Sequence, residues 1–185
     1  MSLFNLISTS ISEHTFHFSV LVGIGVELTF EVIAAAALLR KEVPDLRVRV
    51  VNVTDLMILA PESLHPHSLT DIDFITLFTE DRFVHFNYHG YPGELKSLLF
   101  GRPGTSRMSI EGYNEEGTTT TPFDMMLSNK VSRYHVAAEA VRGGALVNQK
   151  VAIDAQKRIA EFHHRAEKAK QYAHEHGQGM SLIIY

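Results

Sequence analysis

Phe18-Ser19-Val20-Leu21-Val22-Gly23-Ile24-Gly25 is a near-continuous aliphatic and β-branched run closed by two glycines. A strand with no polar alternation is buried on both faces, the situation of a parallel sheet flanked by helices. Residues 27–42 follow as a helix, with Glu27 and Glu31 near its positive end. Pro44 stops it, because the residue before a proline avoids helical angles. Residues 46–53, Leu-Arg-Val-Arg-Val-Val-Asn-Val, form a second strand. Strand, helix and strand in this order make a βαβ unit with a right-handed crossover.

Outward from that unit, residues 61–68 are a loop bearing proline and histidine. Thr70-Asp-Ile-Asp73 opens a short helix to Phe78, since a capping hydroxyl is followed three residues on by an acid. Residues 82–88 read as a third strand and 91–100 as a helix entered through Pro92. A long polar loop covers 101–121, with a short strand at 108–110. Thr121-Pro122-Phe123-Asp124 starts a helix expected to reach Arg142 and to stop at Gly143-Gly144. From 148 to 176, Val151, Ala155, Ile159, Phe162, Ala166, Ala169 and Ala173 form one helical stripe. Asp154–Arg158 and Glu161–Arg165 are spaced as supporting pairs on that helix. The expected fold is α/β, a Rossmann-like open, mostly parallel sheet with a C-terminal helical arm. The expected organisation is a flexible tail over 1–16, the α/β domain over 17–145, the long helix over 146–177 and a tail over 178–185.

The 185 residues include 45% hydrophobic and 21% charged residues, a composition that folds rather than stays disordered. The net charge of −4 argues against nucleic-acid binding and against attraction to an anionic membrane. No cysteine is present, which excludes disulfides, thiolate metal sites and cysteine nucleophiles. The longest apolar run, 32–39, falls far short of the ~20 residues that span a bilayer. Residues 1–14 carry no Lys or Arg, unlike a secretory signal, so the expected location is cytoplasmic.

Gly23-x-Gly25 between strand and helix invites a dinucleotide reading, but the third glycine of that fingerprint is replaced by Leu28. No acid ends the second strand, and the phosphate-binding lysine loop is absent. The turn is therefore read as structural. Eleven histidines raise the question of a metal. His65-Pro66-His67 aims its rings poorly at one ion, and His85 and His89 lie ~13 Å apart along a strand. Neither a metal centre nor a Gly-x-Ser-x-Gly nucleophile is expected. The working surface is placed at the carboxyl ends of the strands, where open α/β sheets receive ligands and partners. His65, His67, His89, Tyr91, Glu115, Glu116, Thr118 and Thr121 are the candidate contacts to a neighbouring domain or subunit. The loop carrying the last four is too long for a bare connector.

Several segments taken together resemble one family. Asn52-Val-Thr-Asp-Leu-Met57, His65-Pro-His67, Phe86-Asn-Tyr-His-Gly-Tyr-Pro92 and Gly112-Tyr-Asn-Glu-Glu-Gly-Thr-Thr-Thr-Thr-Pro-Phe-Asp124 are similar to the C-terminal domain of phosphoketolases, in order and spacing. Gly23-Ile-Gly-Val-Glu-Leu-Thr-Phe30 looks closest to the fungal branch. The resemblance implies a transketolase-like domain of an enzyme that uses thiamine diphosphate and Mg to split a ketose phosphate with phosphate, giving acetyl phosphate and an aldose phosphate. It also implies that cofactor and substrate are held by the N-terminal and middle domains in a homodimer or larger assembly. No Gly-Asp pair, the start of the diphosphate–magnesium motif, occurs in this chain. No catalytic, cofactor-binding or metal-binding residue is therefore carried over, and the chain alone is expected to be inactive. The alternative reading is an allosteric module of the same enzyme, with a nucleotide or anionic metabolite in the crevice at Gly23–Gly25.

Overall fold

The structure, a computed structural model, describes residues 6–7, 18–114 and 120–176. Five strands form one sheet in the order β1-β3-β2-β4-β5. They are β1 (Leu6–Ile7), β2 (Phe18–Ile24), β3 (Arg47–Val53), β4 (Val84–Tyr88) and β5 (Met108–Gly112). The last four are mutually parallel. Strand β1 lies within the stretch expected to be a tail; it pairs antiparallel with β3, Leu6 opposite Val51 and Ile7 opposite Val50.

The alternation of strand side chains sorts the core into two layers. Val20, Val22, Ile24, Val84 and Phe86 face α2 (Asp71–Phe78) and α3 (Pro92–Leu99). Leu21 faces the other way, onto α1 (Val26–Glu42), α5 (Arg133–Ala145) and α6 (Gln149–His176). The cap expected at Thr70 forms: its Oγ1 accepts the Asp73 N–H at 3.1 Å, and its hydroxyl donates to Asp73 Oδ2 at 2.8 Å. Thr70→Ala should cost about 1 kcal/mol in a denaturant titration, the usual worth of such a cap.

The helix expected from Thr121 to Arg142 is instead two. Helix α4 (Pro122–Ser128) ends where Lys130 takes a φ of 59°, and α5 begins after Ser132. The Asn129 side chain donates to the Met125 carbonyl at 3.0 Å and accepts the Asn114 N–H at 2.7 Å, so it diverts the chain into a turn. The expected stop at Gly143-Gly144 is also corrected, because α5 runs through both glycines to Ala145. They serve close packing: a Cβ on Gly143 would lie 2.0 Å from the Phe83 ring, and one on Gly144 would lie 2.5 Å from Leu46.

All seven stripe residues of α6 are buried. The helix shares its core with Leu21, Val32 and Val141, so the C-terminal arm leans closely on the α/β domain. Arg165 reaches Glu42 at 2.7 and 2.9 Å, tying α6 to the end of α1. Its pairing differs from the expected one with Glu161, which meets Arg158 instead.

His85 on β4 is fully buried, and neither ring nitrogen has a hydrogen-bond partner. Burial pushes its pKa down to about 4. Between pH 6.5 and that value the unfolded chain takes up a proton at this position that the folded chain refuses. Stability contributed by neutral His85 is therefore complete above pH 6.5 and is lost as pH falls, by about 1.4 kcal/mol per pH unit. His85→Leu should flatten the stability–pH curve by that slope, measured by urea titration from pH 7 to 4.5.

Candidate functional site

The carboxyl ends of β2, β3 and β4 meet at one edge, and Gly25 is its pivot. Gly25 has a φ of 95°, and a Cβ there would sit 2.5 Å from His89 Cβ. Two residues earlier, a Cβ on Gly23 would sit 2.7 Å from Thr29 Cα. The Thr29 hydroxyl donates to the Gly25 carbonyl at 2.8 Å, with the Asn52 amide oxygen 3.1 Å away. Both positions are thus closed to any side chain by the near approach of α1 and of His89. The residues lining the crevice beside the turn include no Lys, Arg or His, so they offer a diphosphate no countercharge.

His89 follows β4, its N–H donating to the Ile24 carbonyl at 2.9 Å. The imidazole packs on the Tyr113 ring at 4.7 Å between centroids, and Nδ1 lies 3.9 Å from Glu27 Oε2. Tyr113 is buried, and its N–H donates to the Gly90 carbonyl at 3.0 Å. Burial, and then the carboxylates of Glu27 and Glu31, push the Tyr113 hydroxyl up to about 12, so it remains a donor at neutral pH. Tyr91 is half-exposed and immediately precedes Pro92, the first residue of α3.

His65 and His67 stand edge to face, with centroids 5.2 Å apart. The His67 N–H donates to His65 Nδ1 at 3.2 Å, and His67 Nδ1 lies 3.7 Å from Asp55 Oδ2. Among the described residues, no group of three or more His, Asp or Glu side chains is arranged to hold a metal. The same edge therefore carries two imidazole–carboxylate pairs, one past β3 and one past β4, with β2 between them. Thr121 caps α4, its Oγ1 accepting the Asp124 N–H at 3.2 Å. Glu115, Glu116 and Thr118 lie outside the described residues.

Residues that sequence spacing did not single out fasten this edge. Arg102 is buried, and its guanidinium donates to the carbonyls of Ile58, Leu59, Ala60 and Leu69 and to Asp71 Oδ1. It staples the connection that presents His65 and His67. Glu31 in α1 receives Arg133 through Oε1 at 2.5 Å and Oε2 at 3.0 Å. The Asn87 side chain donates to the Val131 carbonyl at 2.9 Å, fixing the α4–α5 turn above β4. Only a weak signal marked Glu31 and Asn87, polar residues in segments otherwise read as apolar, and none marked Arg102 in its polar loop.

The fold and this edge define an α/β lobe with four parallel strands and two imidazole–carboxylate pairs at their carboxyl ends. The sequence model of the XFP C-terminal domain matches residues 4–184, and the chain belongs to that family. It is 51% identical over 156 residues to a probable phosphoketolase of Schizosaccharomyces pombe, covering 84% of this chain and 18% of that protein. Against a probable phosphoketolase of Bradyrhizobium diazoefficiens the identity is 46% over 156 residues, covering 84% of this chain and 19% of the other. The chain thus spans about a fifth of the length of these curated relatives. Among solved structures, a chain described as a split gene transketolase, inactive β4 tetramer, aligns with a TM-score of 0.46 at 16% identity, covering 72% of this chain and 41% of the other.

Proposed function

We propose that this chain is the C-terminal assembly lobe of a cytoplasmic, thiamine-diphosphate-dependent phosphoketolase and has no catalytic activity by itself. The observation that carries the reading is the match of nearly the whole chain to about a fifth of the probable phosphoketolases. The uncharged lining of the crevice at Gly25 and the absence of a Gly-Asp pair support it, because both leave the diphosphate without a holder here. In the whole enzyme the cofactor and Mg belong to the N-terminal and middle domains, where the carbon–carbon bond of the ketose phosphate is cleaved. His65, His67, His89, Tyr91 and Thr121, with Glu115, Glu116 and Thr118 of the adjoining loop, face those domains or the second subunit of a homo-oligomer.

The allosteric reading has less support. The crevice beside Gly25 is lined by Val26, Phe30, Ile33, Val50, Asn52 and Thr54 among others, with no Lys, Arg or His among them. An anionic effector would find no countercharge there. Isothermal titration of the isolated chain with thiamine diphosphate and Mg tests the assignment. No binding heat is expected, whereas stoichiometric binding would overturn it.

A further inference from the structure

Helix α1 is apolar on two sides. Leu28, Val32, Ala35 and Leu39 are buried against the sheet and α5. Val26, Phe30 and Ile33 repeat the helical spacing on the outer side and are 73%, 64% and 40% exposed. A helix that is hydrophobic all round is a buried helix. Beside this second stripe runs a groove of about 510 Å³, floored by Val50 and Val53 of β3 and closed by Asn52 and Thr54. An exposed aromatic next to a concave apolar floor is the usual anatomy of an interface centre.

The rim identifies the occupant. Glu27 and Asp55 do not line the groove themselves, but each directly follows a lining residue, Val26 on α1 and Thr54 past β3. Each faces an imidazole at 3.9 or 3.7 Å, beyond hydrogen-bond length, and each is about half exposed. Asp55 Oδ1 accepts the Met57 N–H at 3.0 Å, which leaves Asp55 Oδ2 and the Glu27 carboxylate open to a cation. The whole chain has 17 basic against 21 acidic residues, so a second copy would bring like net charge to like. The groove is also continuous with the edge that carries His67 and His89, the face assigned above to the companion domains.

We infer that the outer stripe of α1 and its groove are the seat of an apolar segment, flanked by Lys or Arg, from the companion domains of the same enzyme. This rests on the assembly reading and adds to it a specific anchor, Phe30, with Glu27 and Asp55 as the polar rim.

The test uses a full-length enzyme, the S. pombe relative with its matched segment replaced by this chain. p-Benzoylphenylalanine is placed singly at Phe30, at Tyr91 and at Ile153, an exposed position on α6, and adducts are mapped by mass spectrometry after irradiation. Phe30 should cross-link to an apolar residue of the companion domains lying next to a Lys or Arg, while Ile153 yields no such adduct. A Phe30 adduct on α1 of a second copy would overturn the choice of occupant. So would equal adducts from Phe30 and Ile153. No adduct at Phe30 while Tyr91 cross-links to the companions would remove this inference and leave the assembly reading standing. Silence at both Phe30 and Tyr91 would remove both.

Discussion

Arg102→Ala is expected to lower the stability of the chain by about 3–5 kcal/mol, since a buried carbonyl that loses its charged donor costs about 1–3 kcal/mol. The guanidinium donates to Leu59 O at 3.1 Å, Ile58 O at 3.1 Å, Ala60 O at 2.5 Å and Leu69 O at 2.8 Å. Removing it leaves these carbonyls short of a donor in a site whose neighbours include the Phe74 ring, 4.6 Å from the guanidinium carbon. The Asp71 contact adds little, because that carboxylate is largely solvated. Arg102→Lys should recover only a fraction, since one ammonium has three donors and no planar fork. Urea unfolding measures the loss. Hydrogen exchange should show it concentrated in residues 56–71, the connection that presents His65 and His67.

Glu31→Ala should have a comparable effect, also about 3–5 kcal/mol, by a different route. Glu31 is buried in α1, yet its Oε2 accepts the backbone N–H of Arg133 at 2.6 Å. Arg133 is the first residue of α5, so α5 is capped by a carboxylate from another helix, where its macrodipole favours an anion. Ser132 stands at the cap position, but its hydroxyl is engaged with His135 Nδ1 at 2.8 Å. Burial works against the Arg133 charge; the hydrogen bonds and field of Glu31 outweigh it and hold the guanidinium above its ordinary range. Truncating Glu31 strands that charge, whereas the double variant Glu31→Met with Arg133→Met should be much closer to wild type in thermal unfolding.

These two positions show where reading the sequence stops. Periodicity revealed the parallel strands and the α6 stripe because both are local patterns set by one face of one element. The break between α4 and α5 was harder, since it depends on Asn129 bonding to Asn114 as well as to its own helix. Gly143-Gly144 looked like a helix stop, but the reason for two glycines lies with Phe83 and Leu46, far away in the chain. Arg102 meets carbonyls more than thirty residues distant, and Glu31 meets Arg133 across about a hundred. No spacing rule links such pairs. At the candidate site, the histidines and Gly25 were visible as residues, but the partners Glu27, Asp55 and Tyr113 emerged only once the sheet edge was assembled.

On the proposed function, this lobe completes an enzyme whose chemistry lies in the companion domains. Acetyl phosphate formation from xylulose 5-phosphate and phosphate should be measured for the remaining two domains alone, for this chain alone, and for the two mixed. The chain alone should give no product, and the two-domain piece should gain its activity when the chain is added. Full activity of the two-domain piece without the chain, or product from the chain unaided, would contradict the account.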